Sequence, residues 1–295
     1  MNILIADKFG PGLEKRLARL GKVAVADEAF LEKAEVVLVR SATKVNPAYI
    51  DRATNLKLVI RGGVGVDNID LDYCRLKGIL VRNTPAASAI AVAELAIGLM
   101  LALVRHLPRA HASTAAGAWE KKALKGTELC GKTLGLVGVG HIGREVALRA
   151  KAFGMRVVAC RRSMNPCDFA ELMPLGKVLA AADFLSLHLP FNKDTKHLIG
   201  TKTIARMKKG AFLVNTARGA LVDERALVRA LESGRLAGAG VDVYPTEPPD
   251  AASALLSAPN VVLTPHLGSS TAENMERIAD EAVALVEAFG AGRLK

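Results

Sequence analysis

The sequence predicts an α/β protein of two doubly wound parallel-sheet domains. Three observations predict it. Short runs rich in Val, Ile and Leu alternate with amphipathic stretches along most of the chain, as buried parallel strands and their crossover helices do. One such run, Thr133–Val137, passes directly into Gly138-Val139-Gly140-His141-Ile142-Gly143 and then a helical stretch. Finally, 295 residues, 51% hydrophobic but only 4% aromatic, suffice for two domains with cores of small aliphatic side chains.

In the first part of the chain Asn2–Asp7, Lys22–Ala26, Val36–Arg40, Lys57–Ile60 and Ile79–Arg82 read as buried strands, with Gly12–Leu20 and Pro47–Ala53 among the amphipathic stretches between them. Asn83-Thr84-Pro85 marks a turn. One long helix is expected from about Ser88 to His106, crossing from the first domain to the second. A second series begins at Lys132, with strands at Leu134–Gly138, Arg156–Cys160, Phe184–Leu189, Ala211–Asn215, Gly238–Val243 and Val261–Thr264. The stretch from Ser163 to Asp183 is short, so a helix or strand is expected to be trimmed there. The last helix, about Thr271–Phe289, is expected to return to the first domain. The boundaries are thus 1–88 with 270–295 for one domain and 89–269 for the other.

Composition removes several classes of function. The net charge of +11 is spread over Arg105–Lys125, Arg149–Arg162 and Lys193–Lys209, without aromatic interleaving or a long basic block. That pattern fits a field attracting small anions rather than nucleic acid. Cys74, Cys130, Cys160 and Cys167 match no zinc or CxxC spacing, and no metal site is expected. Free thiols fit a reducing cytoplasm. The opening Met1–Asp7 turns acidic too soon for a signal peptide. Ala86–Val104 approaches the length of a membrane span, but Glu94 lies near its middle and it is rich in Ala, so a buried helix is expected.

The glycine loop carries the first chemistry. Gly138 permits the tight turn, Gly140 lets the backbone approach a pyrophosphate, and Gly143 lets the helix pack against the strand. The pyrophosphate then meets the free N–H groups of the helix N-terminus. The next strand ends in Cys160-Arg161-Arg162-Ser163, where an acidic residue normally binds the adenosine ribose. Arg161 and Arg162 suit a 2′-phosphate, with Ser163 adding a donor, so NADP is expected over NAD.

Polar residues follow three further strands: Asn215-Thr216-Ala217-Arg218-Gly219, then Asp242 to Pro249 with Glu247, then Thr264-Pro265-His266-Leu267-Gly268. Open α/β sheets place ligands at such strand ends. A carboxylate beside His266 fixes its tautomer and favours its protonated form. Such a histidine takes the proton of a 2-hydroxyl while hydride leaves the same carbon. Arg218 suits a substrate carboxylate.

With Val39–Val45, Arg61–Asp70, Asn83–Pro85, Gly117–Glu120 and Gly126–Leu129 added to these segments, the chain resembles the D-isomer specific 2-hydroxyacid dehydrogenases over nearly its whole length, and among them the D-3-phosphoglycerate dehydrogenases. The resemblance implies two Rossmann-like domains, a flavodoxin-like substrate domain and a dinucleotide-binding domain. It implies Arg218, Glu247 and His266 as the catalytic set, and Arg40, Arg61, Val64 and Gly65 as substrate contacts. It implies cofactor contacts from Gly138, Gly140, His141, Ile142, Gly143, Leu189, Pro190, Thr216, Ala217, Asp242 and Gly268, with Asp242 facing the nicotinamide end. It also implies a homodimer through the long-helix region, with Trp119 near the partner. The expected reaction is oxidation of 3-phospho-D-glycerate to 3-phosphohydroxypyruvate, the entry to serine synthesis. The alternative is an NADPH-dependent glyoxylate/hydroxypyruvate reductase. A dinucleotide-sensing co-repressor is a further alternative, against which the intact Arg218, Glu247 and His266 set stands. Two departures from the family accompany these expectations: Arg161 replaces the usual Asp, and the chain stops at Lys295, so serine feedback through a C-terminal regulatory domain is not expected.

Overall fold

The computed structural model describes residues 1–162 and 167–294. The chain divides into two compact units, Met1–Ser88 with Ser269–Lys295, and Ala89–Gly268.

The first unit is a five-stranded sheet of β1 (Asn2–Ile5), β2 (Lys22–Val25), β3 (Val36–Val39), β4 (Leu58–Arg61) and β5 (Leu80–Asn83), in the order β2-β1-β3-β4-β5. Every pairing is parallel. Successive side chains of a strand point to opposite faces, and here both faces are covered. Ile3, Ile5, Val36, Leu38, Leu58 and Ile60 pack on Leu13, Leu17, Ala279, Ala282 and Val286. Leu4, Val37, Val39 and Val59 pack on Leu31, Ile50 and Cys74 on the other side. This is why β3 reads as an unbroken apolar run. β1 ends at Ile5, short of the expected Asp7, because Asp7 turns its carboxylate to the next loop. It accepts the N–H of Arg40 at 2.6 Å and the hydroxyl of Thr43 at 2.6 Å. The C-terminal helix Ala272–Gly290 is capped by the Thr271 hydroxyl, which accepts Asn274 N–H at 3.1 Å. It returns to the first unit, where Arg16 pairs with Asp280 at 2.7 Å.

The second unit opens with the helix Ala89–Val104, which lies wholly within it. The single helix expected over Ser88–His106 is shorter and is followed by a second, Leu107–Ala115, bent from it by 61°. Pro108 lies in the first turn of the second helix and explains the break: it lacks the N–H that would continue the first helix, and its ring clashes with the carbonyl four residues back. His106 takes a left-handed φ of 52° at the corner. No single described helix is long and apolar enough to cross a membrane.

The second sheet contains β6 (Thr133–Val137), β7 (Arg156–Cys160), β8 (Glu171–Leu172), β9 (Phe184–Leu187), β10 (Ala211–Asn215), β11 (Leu236–Val241) and β12 (Val261–Leu263). Their order is β12-β11-β10-β9-β6-β7-β8, all parallel. Six strands were expected; the seventh, β8, is a two-residue edge piece between β7 and β9, followed by the short helix Leu175–Ala181. The chain reverses direction across the sheet between β6 and β9, which is where such sheets bind ligands. Phe184 and Phe212 stack at 5.0 Å in the core.

Candidate active site

The three glycines of the first loop have different reasons to be glycine. Gly138 follows β6 with φ 97°, and a Cβ there would run into the His188 carbonyl. A Cβ on Gly143 would run into the Gly138 carbonyl. Gly140 is neither strained nor crowded: a Cβ there would meet nothing within 4 Å. Folding therefore requires the first and third, whereas the open space over the second suits a ligand. Gly140 is also the N-cap of the helix His141–Ala152 and has no side-chain capping bond, leaving the first N–H groups for an anion. His141 is exposed and Ile142 half-buried.

His188, after β9, packs beneath this loop. Its Nε2 lies 2.8 Å from the Ser186 hydroxyl, while its Nδ1 is buried without a hydrogen-bond partner among the described residues. Burial pushes the imidazole pKa down to about 4, so His188 is neutral at physiological pH. Leu189 and Pro190 continue from it toward the surface.

After β10, Asn215 organises the next loop. Its Nδ2 donates to the Arg218 carbonyl at 2.9 Å, and its Oδ1 accepts Ala217 N–H at 3.1 Å. Thr216 is buried, with a hydroxyl lacking a hydrogen-bond partner among the described residues. Arg218 is half-buried and its Nη1 donates to the Ala217 carbonyl at 2.6 Å. The following Gly219 lies so close to the Tyr244–Pro245 peptide that a Cβ would collide with it, which packs the Arg218 loop against the one after β11.

That loop brings Glu247 to His266. His266 Nδ1 and Glu247 Oε2 are 2.7 Å apart, and the other carboxylate oxygen accepts Tyr244 N–H at 3.1 Å. Both side chains remain about two-fifths exposed, at 41% and 38%, so the free face of the imidazole is accessible. His266 itself has a left-handed φ of 54°, an unfavourable conformation held by its surroundings. Its N–H donates to the Asp242 carbonyl at 2.9 Å. The Asp242 side chain, expected to face the nicotinamide end of a dinucleotide, is fully buried. It accepts the Thr264 hydroxyl at 2.6 Å, Leu267 N–H at 2.7 Å and Gly268 N–H at 2.9 Å. Asp242 thus clamps the turn that presents His266. Asn215 and Tyr244 were not singled out from the sequence, although a polar residue closing an apolar strand is a legible sign of a loop anchor.

At the end of β7, Arg161 is half-buried and Arg162 is exposed, paired with Asp194 at 3.0 Å. Ser163 lies outside the described residues. In the first unit, Arg40 is half-buried with its Nε lacking a hydrogen-bond partner among the described residues, and burial lowers its pKa. Arg61 lays its guanidinium against Gly63. The Val64 carbonyl accepts Asn83 Nδ2 at 2.5 Å, and Gly65 is half-buried. Among the described residues no cluster of His, Cys, Asp and Glu has the makings of a metal site.

A parallel sheet with a phosphate-type glycine loop, an accessible histidine–carboxylate pair and an arginine at successive strand ends defines a dinucleotide-dependent oxidoreductase. Residues 97–268 match the family model described as D-isomer specific 2-hydroxyacid dehydrogenase, NAD binding domain. The chain is 50% identical over 257 residues to the hydroxypyruvate reductase of Thermotoga maritima, covering 86% of this chain and 84% of that one. It is 46% identical over 286 residues to the D-3-phosphoglycerate dehydrogenase of Methanocaldococcus jannaschii, covering 92% of this chain but only 54% of that one. The chain therefore spans about half the length of this phosphoglycerate dehydrogenase. The glyoxylate reductase structure from Paecilomyes thermophila superposes with a TM-score of 0.90 at 34% identity, covering 98% of this chain and 95% of that one. The chain belongs to the D-isomer specific 2-hydroxyacid dehydrogenase family, a family of nicotinamide-dependent oxidoreductases.

Proposed function

We propose that the chain interconverts a D-2-hydroxy acid and its 2-oxo acid, with 3-phospho-D-glycerate and 3-phosphohydroxypyruvate as the pair. The observation that carries this reading is the 2.7 Å contact between His266 Nδ1 and Glu247 Oε2 at the carboxyl end of the second sheet. Glu247 holds the proton on Nδ1 and leaves Nε2 to the substrate. In oxidation Nε2 takes the C2 hydroxyl proton; in reduction the imidazolium returns it to the carbonyl oxygen. The imidazolium formed is stabilised by the carboxylate beside it. Arg218 receives the substrate carboxylate as a two-pronged donor and draws electron density from C2.

The second unit is the dinucleotide-binding part in this reading, and the first unit the substrate-binding part. Gly138 to Gly143 and the N–H groups opening the His141–Ala152 helix hold the pyrophosphate. Leu189, Pro190, Thr216, Ala217 and Gly268 line the nicotinamide half, and Asp242 acts there through the Leu267–Gly268 turn that it clamps. A nicotinamide held there would supply the hydride acceptor or donor that these side chains lack. Arg161 and Arg162 favour NADP; Arg162 exchanges Asp194 for the 2′-phosphate. Arg40 and Arg61 carry the preference for a phosphorylated acid, and the half-buried Arg40 supports a dianionic substrate. The working form is a homodimer through the 89–115 region, supported by the 82% exposure of Trp119 and 52% exposure of Leu107 nearby.

The test is a steady-state panel of phosphohydroxypyruvate, hydroxypyruvate and glyoxylate, each with NADPH and NADH. The expected result is a kcat/KM for phosphohydroxypyruvate at least about tenfold above the others, corresponding to a modest difference in transition-state binding, and a similar preference for NADPH. Equal or faster turnover of the unphosphorylated acids overturns the substrate assignment. It would favour the second reading, an NADPH-dependent hydroxypyruvate or glyoxylate reductase, which the Thermotoga maritima relative supports by covering most of both chains.

A further inference from the structure

In the first unit, two side chains outside the reacting set hold the loop that presents Arg40. That loop follows β3 and runs from Arg40 to Val45. Asp7, just past β1, accepts the Arg40 N–H at 2.6 Å, the Thr43 N–H at 3.1 Å and the Thr43 hydroxyl at 2.6 Å. Asn68, in the stretch after β4, supplies the complement. Its Nδ2 donates to the Arg40 carbonyl at 2.9 Å and to the Thr43 carbonyl at 2.7 Å. The N–H and the carbonyl of Arg40 are therefore both fixed by side chains, and so are those of Thr43.

A loop lacks the ladder bonds of a strand, so its backbone groups need other partners. Here one carboxylate collects the donors and one amide collects the acceptors. Asn68 belongs to the same stretch as Arg61, Val64 and Gly65, so the clamp joins the two loops that carry the expected substrate contacts. A backbone bridge continues the junction: Val45 N–H donates to the Asn68 carbonyl at 2.8 Å, and Asp70 N–H to the Val45 carbonyl at 2.9 Å. The bridge does not use the Asn68 side chain, so removing the amide frees the Arg40 backbone without parting the loops.

Arg40 is half-buried, and a guanidinium fixed in advance loses less freedom on meeting an anion. Burial lowers its pKa and the Asp7 carboxylate opposes that shift, so Asp7 lies within electrostatic reach of the guanidinium. A negative charge there weakens the hold on an anion. Asp7 therefore helps an anionic substrate only through the hydrogen bonds that fix the loop.

We propose that Asp7 and Asn68 are positioning residues that set the Arg40 guanidinium, and with it the preference for a 2-oxo acid carrying a second anionic group. This rests on Arg40 being a substrate contact.

Steady-state kinetics of Asn68→Ala, Asp7→Asn, Arg40→Gln and the Asn68→Ala/Arg40→Gln double variant test this, with phosphohydroxypyruvate and with glyoxylate, which lacks a second anion. Asn68→Ala is expected to raise the KM for phosphohydroxypyruvate about tenfold, with kcat within about threefold of wild type and the glyoxylate and dinucleotide KM within about twofold. Asp7→Asn keeps the volume and deletes the charge. Loss of the charge alone would lower the phosphohydroxypyruvate KM, so the expected rise of about three- to tenfold isolates the positional effect. In the Arg40→Gln background Asn68→Ala is expected to add less than about twofold, because both changes remove one contact. An Asn68→Ala KM within about twofold of wild type, an equal rise for glyoxylate, a lowered KM in Asp7→Asn, or full additivity with Arg40→Gln overturns the proposal. If Asn68→Ala does not fold, Asp7→Asn carries the test by the same criteria. An unchanged phosphohydroxypyruvate KM in Arg40→Gln removes the substrate assignment of Arg40 and the positioning role with it. A raised KM in Arg40→Gln beside silent Asn68→Ala and Asp7→Asn removes the positioning role alone.

Discussion

At the scale of single residues, His266 is held in place by groups that do no chemistry. Its left-handed backbone rests on Asp242, which binds Thr264, Leu267 and Gly268 with its side chain. Asp242→Asn keeps the shape but loses the charge-assisted bonds, so a stability loss of about 2–3 kcal/mol is expected in urea denaturation. His188 supplies a pH-dependent term. Its folded pKa of about 4 lies below the ordinary histidine value of 6.5, so the unfolded chain binds the extra proton between these values. Stability is therefore expected to fall as pH drops from 6.5 toward 4, by at most on the order of 3 kcal/mol from this residue. Melting curves of wild type and His188→Gln across that window check it; the variant should lack this component of the slope. The His266–Glu247 contact was legible in part, because both residues follow shortly after apolar runs. The clamp by Asp242 was not legible, since an Asp at a strand end reads equally well as a ligand contact.

At the scale of elements, the glycine loop separates what the fold demands from what a ligand demands. Gly138 has φ 97° and touches the His188 carbonyl, whereas Gly140 faces open space. Gly138→Ala is expected to cost about 1–3 kcal/mol through strain and overlap. Gly140→Ala should shift Tm by no more than about 2 °C while raising the dinucleotide KM about tenfold, a loss of roughly 1.4 kcal/mol of binding. Thermal melts and dinucleotide titrations of the two variants distinguish these outcomes. The central strands, such as β3 and β9, were legible because both of their faces are buried; the edge strand β2, expected to be buried, has Lys22 and Val25 exposed. β8 was not legible, because two residues, Glu171 and Leu172, carry no periodicity. The helix break at His106 also escaped the periodic pattern, although Leu107-Pro108 encodes it locally.

At the scale of the whole molecule, the division near residues 88 and 269 follows the two series of strand-like runs. The net charge of +11 gives the surface a field that draws in anionic acids. Raising ionic strength is expected to lower kcat/KM, and more steeply for a phosphorylated acid than for glyoxylate, because screening scales with ligand charge. In the proposed reaction His266, oriented by Glu247, moves the proton that accompanies hydride transfer. The most direct test is the single-turnover rate of NADPH oxidation by the best 2-oxo acid, with wild type and His266→Gln at saturating dinucleotide. A loss of about 10²–10⁴-fold in that rate is expected, the usual worth of general acid catalysis, with the dinucleotide Kd unchanged. A His266→Gln rate within about threefold of wild type, too small a change for a lost proton donor, would contradict it.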